Sequence, residues 1–165
     1  MDEHCTECGF VYELGRAAEA AAEIIREVAG ISALLADEAE PAARREPSTW
    51  SPLEYACHVR DVLLVQRERV LTARRRDRPV LEPMGRDERV EHDGYSAQQV
   101  GDVLRQLDDA ARLFRNVLNR LEAADWERRV VYSYPEPQER PLAWVAVHTL
   151  HEVVHHAGDI RRQRS

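Results

Sequence analysis

Four stretches of the chain carry apolar residues at three-to-four spacing, and this recurrence restricts the fold more than any other feature. The cleanest stripe is Val100, Val103, Leu104, Leu107, Ala111, Phe114, Val117, Leu118 and Leu121. With Ser96 and Gln99 ahead of it as a capping pair, it predicts a helix over 96–124. An Ala- and Glu-rich stretch predicts a helix over 12–35, with Leu14, Ala18, Ala21, Ile25, Val28 and Leu35 as its stripe. Another opens on Ser51-Pro52-Leu53-Glu54, a capping box with proline at the first helical position, and continues to about Arg76. The last begins after Pro141 and runs to about Arg162, with Val147, Leu150, Val154 and Ala157 on one face. Four helices of roughly twenty residues joined by long connections predict an all-α four-helix bundle. The connection over 77–95 is long enough to carry function or a short extra helix. Val130, Tyr132 and Tyr134 alternate in 129–140, which fits a brief strand or an extended loop.

Charge and composition remove several classes. The 165 residues include 23 basic and 30 acidic side chains, for a net charge of −7. A chain this acidic is repelled by phosphate, so it is not expected to bind nucleic acid. No stretch approaches the roughly eighteen apolar residues of a membrane span. The start is polar and acidic, without an apolar signal core, and three cysteines are an odd number for a disulfide scaffold. These points predict a cytoplasmic protein whose thiols are free or bind metal. The expected organisation is a cysteine-containing segment over 1–11 followed by the bundle over 12–165.

Bundles place cofactor and metal sites on facing helices, so polar residues near the core matter most. Four of the seven histidines, His148, His151, His155 and His156, fall in HTLHEVVHH on the last helix. His151 and His155 stand four apart, stacked on one face and able to share a metal ion. Taking Leu150 as zero, these two lie at about +100° and +140°, at the edge of the apolar face. Glu152 and His156 lie at about 200° and 240°. Phase therefore favours His151 and His155, although a shift of one residue exchanges them for Glu152 and His156, also four apart. His58, in the second helix, supplies a third ligand if that helix faces the fourth. Three protein ligands with an open position form the catalytic pattern for zinc. The string HEVVH fits the zinc-protease motif literally, but neither domain-scale room for a protease cleft nor a matching downstream pattern accompanies it.

Cys5 and Cys8 form a C-x-x-C-G turn, half of a zinc knuckle. Metal binding with His4 or a bundle histidine, a redox pair and an inert pair all remain open for them; the reading leans to metal. Cys57, next to His58, reads as a small core residue.

At this point the chain resembles the DinB-like superfamily, which includes mycothiol-dependent maleylpyruvate isomerase and related thiol S-transferases. The resemblance spans about Leu14 to Arg162. It rests on Trp50-Ser51-Pro52-Leu53-Glu54-Tyr55-Ala56-Cys57-His58-Val59-Arg60-Asp61 and on His151-Glu152-Val153-Val154-His155-His156-Ala157-Gly158-Asp159-Ile160. It implies a four-helix bundle of the DinB/YfiT-like type and a metal triad of one histidine from the second helix and two ligands four apart on the fourth. Carried over, these are His58, His151 and His155. One isomerase-type subset has a Glu before the paired histidines, which on this chain gives His58, Glu152 and His156. The resemblance further implies a divalent metal, zinc or nickel, that activates a low-molecular-weight thiol against an electrophilic small molecule, and a homodimer. All 23 basic residues are Arg, which GC-rich codons encode, and a GC-rich bacterium points to mycothiol as the thiol. Arg60, beside the site, is the candidate to hold a substrate carboxylate; an ion pair with a neighbouring acid competes with that role. A zinc-binding sensor without turnover is the alternative, since it needs the same ligands.

Overall fold

The computed structural model describes residues 4–163. In chain order it contains α1 (Ala20–Ala36), α2 (Pro52–Arg75), β1 (Val80–Leu81), α3 (Arg86–His92), α4 (Val100–Leu118), α5 (Ala123–Trp126), β2 (Arg129–Tyr132), β3 (Gln138–Pro141) and α6 (Leu142–Gln163). The four long helices α1, α2, α4 and α6 form the expected bundle. Both α1 and α2 pack mainly against α4 and α6 and touch each other little. The first two helices are therefore diagonal partners, and α2 lies beside α6. The residues at the two ends of the chain, 1–3 and 164–165, lie outside the described residues.

The start of α2 forms as its sequence predicts. Ser51 Oγ accepts from the Glu54 backbone N–H at 3.2 Å, and Glu54 Oε2 accepts from the Ser51 N–H at 2.8 Å, with Pro52 at the first helical position. Arg44 donates to both Glu54 oxygens, at 2.8 and 2.7 Å. Burial pushes the Glu54 carboxyl up, but Arg44 and Ser51 outweigh it and leave it below the ordinary carboxylate range. Residues 51–63 of this segment are buried almost all round, which suits a helix with neighbours on several sides. Cys57 is a core residue there, its thiol pushed up to about 12 by burial.

Two helix starts differ from the pattern in the sequence. The first helix begins at Ala20, not near Tyr12, and Leu14 is exposed in a single 3-10 turn over Leu14–Arg16. Tyr12 is anchored to α6 through its hydroxyl, so the chain before Ala20 follows α6 instead of the axis of α1. The buried stripe of α1 is accordingly Ala20, Ala21, Ile24, Val28, Ile31 and Leu35. Ser96 lies in the 3-10 turn Tyr95–Ala97, and Gln99 itself is the N-cap of α4. Tyr95 is fully buried and donates its hydroxyl proton to Asp61 on α2 at 2.5 Å, which holds the turn away from the helix axis. α4 ends at Leu118, and the chain restarts as α5, where Asp125 accepts from the Glu122 N–H at 3.0 Å.

The long connection 77–95 contains α3, and 129–140 forms a hairpin. β2 pairs antiparallel with β3 (Val130 with Arg140) and parallel with β1 (Val80 with Val131). Val130 and Tyr132 turn inward, the alternation visible in the sequence. β3 runs directly into α6, and Leu142 donates its N–H to the Arg128 carbonyl at 2.9 Å. The small sheet thus sets where α6 begins and with it the position of every histidine that follows.

Candidate metal centre

Adjacent packing of α2 and α6 brings His58 to Glu152 and His156. His58 Nε2 lies 4.0 Å from Glu152 Oε2, and His156 Nε2 lies 3.6 Å from the same oxygen. The three residues each offer a ligand atom within 4.8 Å of the others. His156 Nδ1 sits 2.8 Å from Asp159 Oδ2, one turn further along α6. That contact leaves Nε2 facing Glu152, and an outer carboxylate of this kind orients imidazoles that bind metals.

The electrostatics suit a cation. Burial, with the positive charge of His156 beside it, holds His58 down to about 3. The ring is therefore neutral, the form that can ligate. Its Nδ1 is buried with no hydrogen-bond partner among the described residues. Burial would raise Glu152, yet His156, His148 and His58 bring it down to about 2. Burial would lower His156, yet Asp159 and Glu152 outweigh it and raise the ring to about 9. The carboxylates favour the protonated His156 ring, and a divalent ion held by His58, Glu152 and His156 would supply that positive charge in place of the proton. Two imidazoles and one carboxylate thus fit a divalent ion such as zinc.

His151 and His155 have other partners, so the expected triad of His58, His151 and His155 does not form one ligand set. Among the described residues, these two gather instead with Cys5 and Cys8, their ligand atoms again within 4.8 Å. The difference is one residue of register. Phase measured from a single apolar stripe assumes one inward face, whereas α6 is covered by α1, by α2 and by the amino-terminal segment. The flank carrying Glu152 and His156 meets α2.

The site opens on a cavity of about 660 Å³. Its lining includes His58, Glu152 and His156 together with Arg69, Arg86 and Arg140. Arg69 donates to the Tyr132 hydroxyl at 2.9 Å, Arg140 lies 4.6 Å over the Trp144 ring, and Arg86 lies 5.5 Å over Trp50. Arg60 is absent from this lining. It is buried and donates to Asp61 at 2.8 Å and to Gln98 and Gln106 at 2.7 Å each. The ion pair with a neighbouring acid, the competing expectation for Arg60, is present, and the side chain joins α2 to the α4 side of the bundle.

Sequence reasoning gave no role to three residues around the site. Asp159 has a local signal, standing three residues after His156 and so on the same helix face. Tyr12 has none; its hydroxyl lies 2.9 Å from His148 Nδ1 and 2.8 Å from His151 Nδ1. His148 stacks on Trp144, with ring centroids 4.5 Å apart, and its Nε2 approaches Glu152 at 3.8 Å.

Comparison with known proteins agrees with the fold. The chain shares its fold with a solved structure described as "YfiT from Bacillus subtilis is a probable metal-dependent hydrolase with an unusual four-helix bundle topology". The TM-score is 0.77 at 11% identity, over 90% of this chain and 87% of that one. No curated protein matches the chain. The sequence profile of the DinB superfamily matches residues 15–160. With nearly its whole length matched and its helices arranged in that bundle, the chain belongs to the DinB superfamily.

Proposed function

We propose that this protein is a metal-dependent enzyme that activates a low-molecular-weight thiol of the mycothiol type for attack on an anionic, electrophilic small molecule. The observation that carries the reading is the three-ligand set of His58, Glu152 and His156 facing a cavity of about 660 Å³. Three protein ligands leave room for an exchangeable one, whereas a purely structural zinc site closes with four. Zinc is the ion this donor set suits, and when bound it stabilises thiolate over thiol near neutral pH.

The chain's own side chains do the rest. Burial keeps His58 neutral, and its histidine neighbours keep Glu152 ionised. Asp159 holds Nδ1 of His156 and so aims Nε2. Arg69, Arg86 and Arg140 make the cavity attractive to a carboxylate. Tyr132 and Trp144 supply apolar wall against which a small ligand can lie.

Water as the nucleophile is the second reading, favoured by the description of the YfiT neighbour as a probable metal-dependent hydrolase. The test is turnover of maleylpyruvate or monobromobimane by zinc-loaded, untagged protein, with and without mycothiol. Thiol-dependent turnover that disappears in His58→Ala and in Glu152→Gln is the expected result. Consumption of an ester or amide substrate without thiol would move the assignment to hydrolysis. Saturable zinc binding with no turnover of either kind would leave a sensor.

A further inference from the structure

The amino-terminal thiols belong to a second cluster that the proposed chemistry does not use. We propose that Cys5, Cys8, His151 and His155 form a closed structural zinc site that pins the amino-terminal segment to α6. Their ligand atoms all lie within 4.8 Å of one another, and Cys5 Sγ is 3.7 Å from His155 Nδ1. This inference stands independently of the proposed catalytic activity.

The local backbone is built for it. Cys5 donates its N–H to the Phe10 carbonyl at 2.9 Å and accepts from the Gly9 N–H at 2.8 Å. Gly9 has φ +74°, which other residues adopt only with strain, and a bridge between His4 and Val11 closes the loop. This tight turn carries both sulfurs to one side, as a zinc knuckle requires. The sequence holds only half of such a motif near its start, C-x₂-C; the other half is H-x₃-H on α6, at the far end of the chain. Both spacings fall within those of Cys₂His₂ zinc sites.

Outer contacts orient both rings. Tyr12 Oη lies 2.8 Å from His151 Nδ1, and Glu7 Oε2 lies 3.4 Å from His155 Nε2. Such contacts set which imidazole nitrogen faces a metal. For His155 the nitrogen left to the cluster is Nδ1, the one nearest Cys5. Phe10 packs on the His151 ring with centroids 5.3 Å apart, so the turn is seated on α6 by apolar contact as well.

A redox role for the pair is less consistent with these surroundings. Catalytic C-x-x-C cysteines sit where a helix N-terminus or a nearby cation lowers their pKa. Here no helix starts at the turn, and the side chains gathered around the two sulfurs are the imidazoles of His151 and His155. Two thiols and two imidazoles gathered within 4.8 Å are instead a soft set that selects zinc, and loading would release both thiol protons. The consequence is mechanical. Cys5, Glu7 and Tyr12 line the same cavity as His58 and Glu152, so an ion at the knuckle would fix one wall of that cavity. His151 and His155 alternate along α6 with Glu152 and His156, so one helix would serve a closed site and an open one on neighbouring flanks.

The test is metal analysis of the full, untagged chain purified without chelator. Two zinc ions per chain are expected, falling to one in Cys5→Ser/Cys8→Ser and to one, the other ion, in His58→Ala. Cobalt-loaded protein should show thiolate-to-cobalt charge-transfer bands in the wild type and His58→Ala, and none in the double cysteine variant. Should that variant fold poorly, titrating the native protein with a mercurial thiol reagent should release one zinc ion as the two thiols react. The proposal is overturned by metal content that ignores both cysteines, by a cobalt spectrum without thiolate bands, by no zinc release on thiol titration, or by a Cys5–Cys8 disulfide in the freshly purified protein.

Discussion

His156 and Asp159 stand one helical turn apart, and the 2.8 Å contact between Nδ1 of the first and Oδ2 of the second determines which nitrogen of that imidazole faces Glu152. In the proposed site the carboxylate acts through the ring that it holds. Asp159→Asn keeps the shape and removes the charge. Metal affinity should fall about 10–100-fold, the usual cost of losing such an outer partner. Competition against a chromophoric chelator measures it, and unchanged affinity would remove Asp159 from the site.

Metal removal should also register in stability. An ion bound only by the folded chain at a hundredfold excess over its Kd contributes about 2.7 kcal/mol. Dialysis against chelator should lower Tm, and zinc should restore it. A Tm indifferent to both treatments would mean that no ion is held in the native state.

Arg60 and Arg140 should part company on mutation. Among the described residues Arg60→Ala leaves Asp61 with Arg89 and Tyr95, so stability should drop by about 2–3 kcal/mol. The KM for an anionic substrate should stay as it was, because Arg60 does not face the cavity. Arg140→Ala should instead raise that KM about tenfold, the loss of one charge-assisted contact. Denaturant unfolding and steady-state kinetics on both variants separate these outcomes; a KM effect confined to Arg60→Ala would reverse the assignment.

The Glu54 carboxylate gives the fold a pH-dependent component. Its native pKa is lowered from the ordinary 4.5. The stabilisation is therefore fully present above about pH 4.5, and it is lost as pH falls through the native value. Glu54→Gln keeps an acceptor for Ser51 but loses the ion pair with Arg44. It should cost about 1–2 kcal/mol at pH 7, and the gap to wild type should close on acidification. Urea midpoints of the two proteins across pH 3–7 check this; a gap that persists at the acid end would place the energy elsewhere.

Local chemistry determined much of this protein directly from the chain. The capping box at Ser51–Glu54, the apolar stripe of α4 and the start of α6 after Pro141 are each made of residues that interact within a few positions, so their order in the sequence is enough. The crowding of histidines on the last helix at a spacing of four was legible for the same reason. What only the tertiary structure decided is how those histidines divide. Residues 151 and 152 differ by about 100° around α6, and that angle places His151 and His155 beside Cys5 and Cys8, and Glu152 and His156 beside His58. No periodicity within α6 can make that choice, because it depends on which flank the diagonal packing of α1 and α2 leaves to each neighbour.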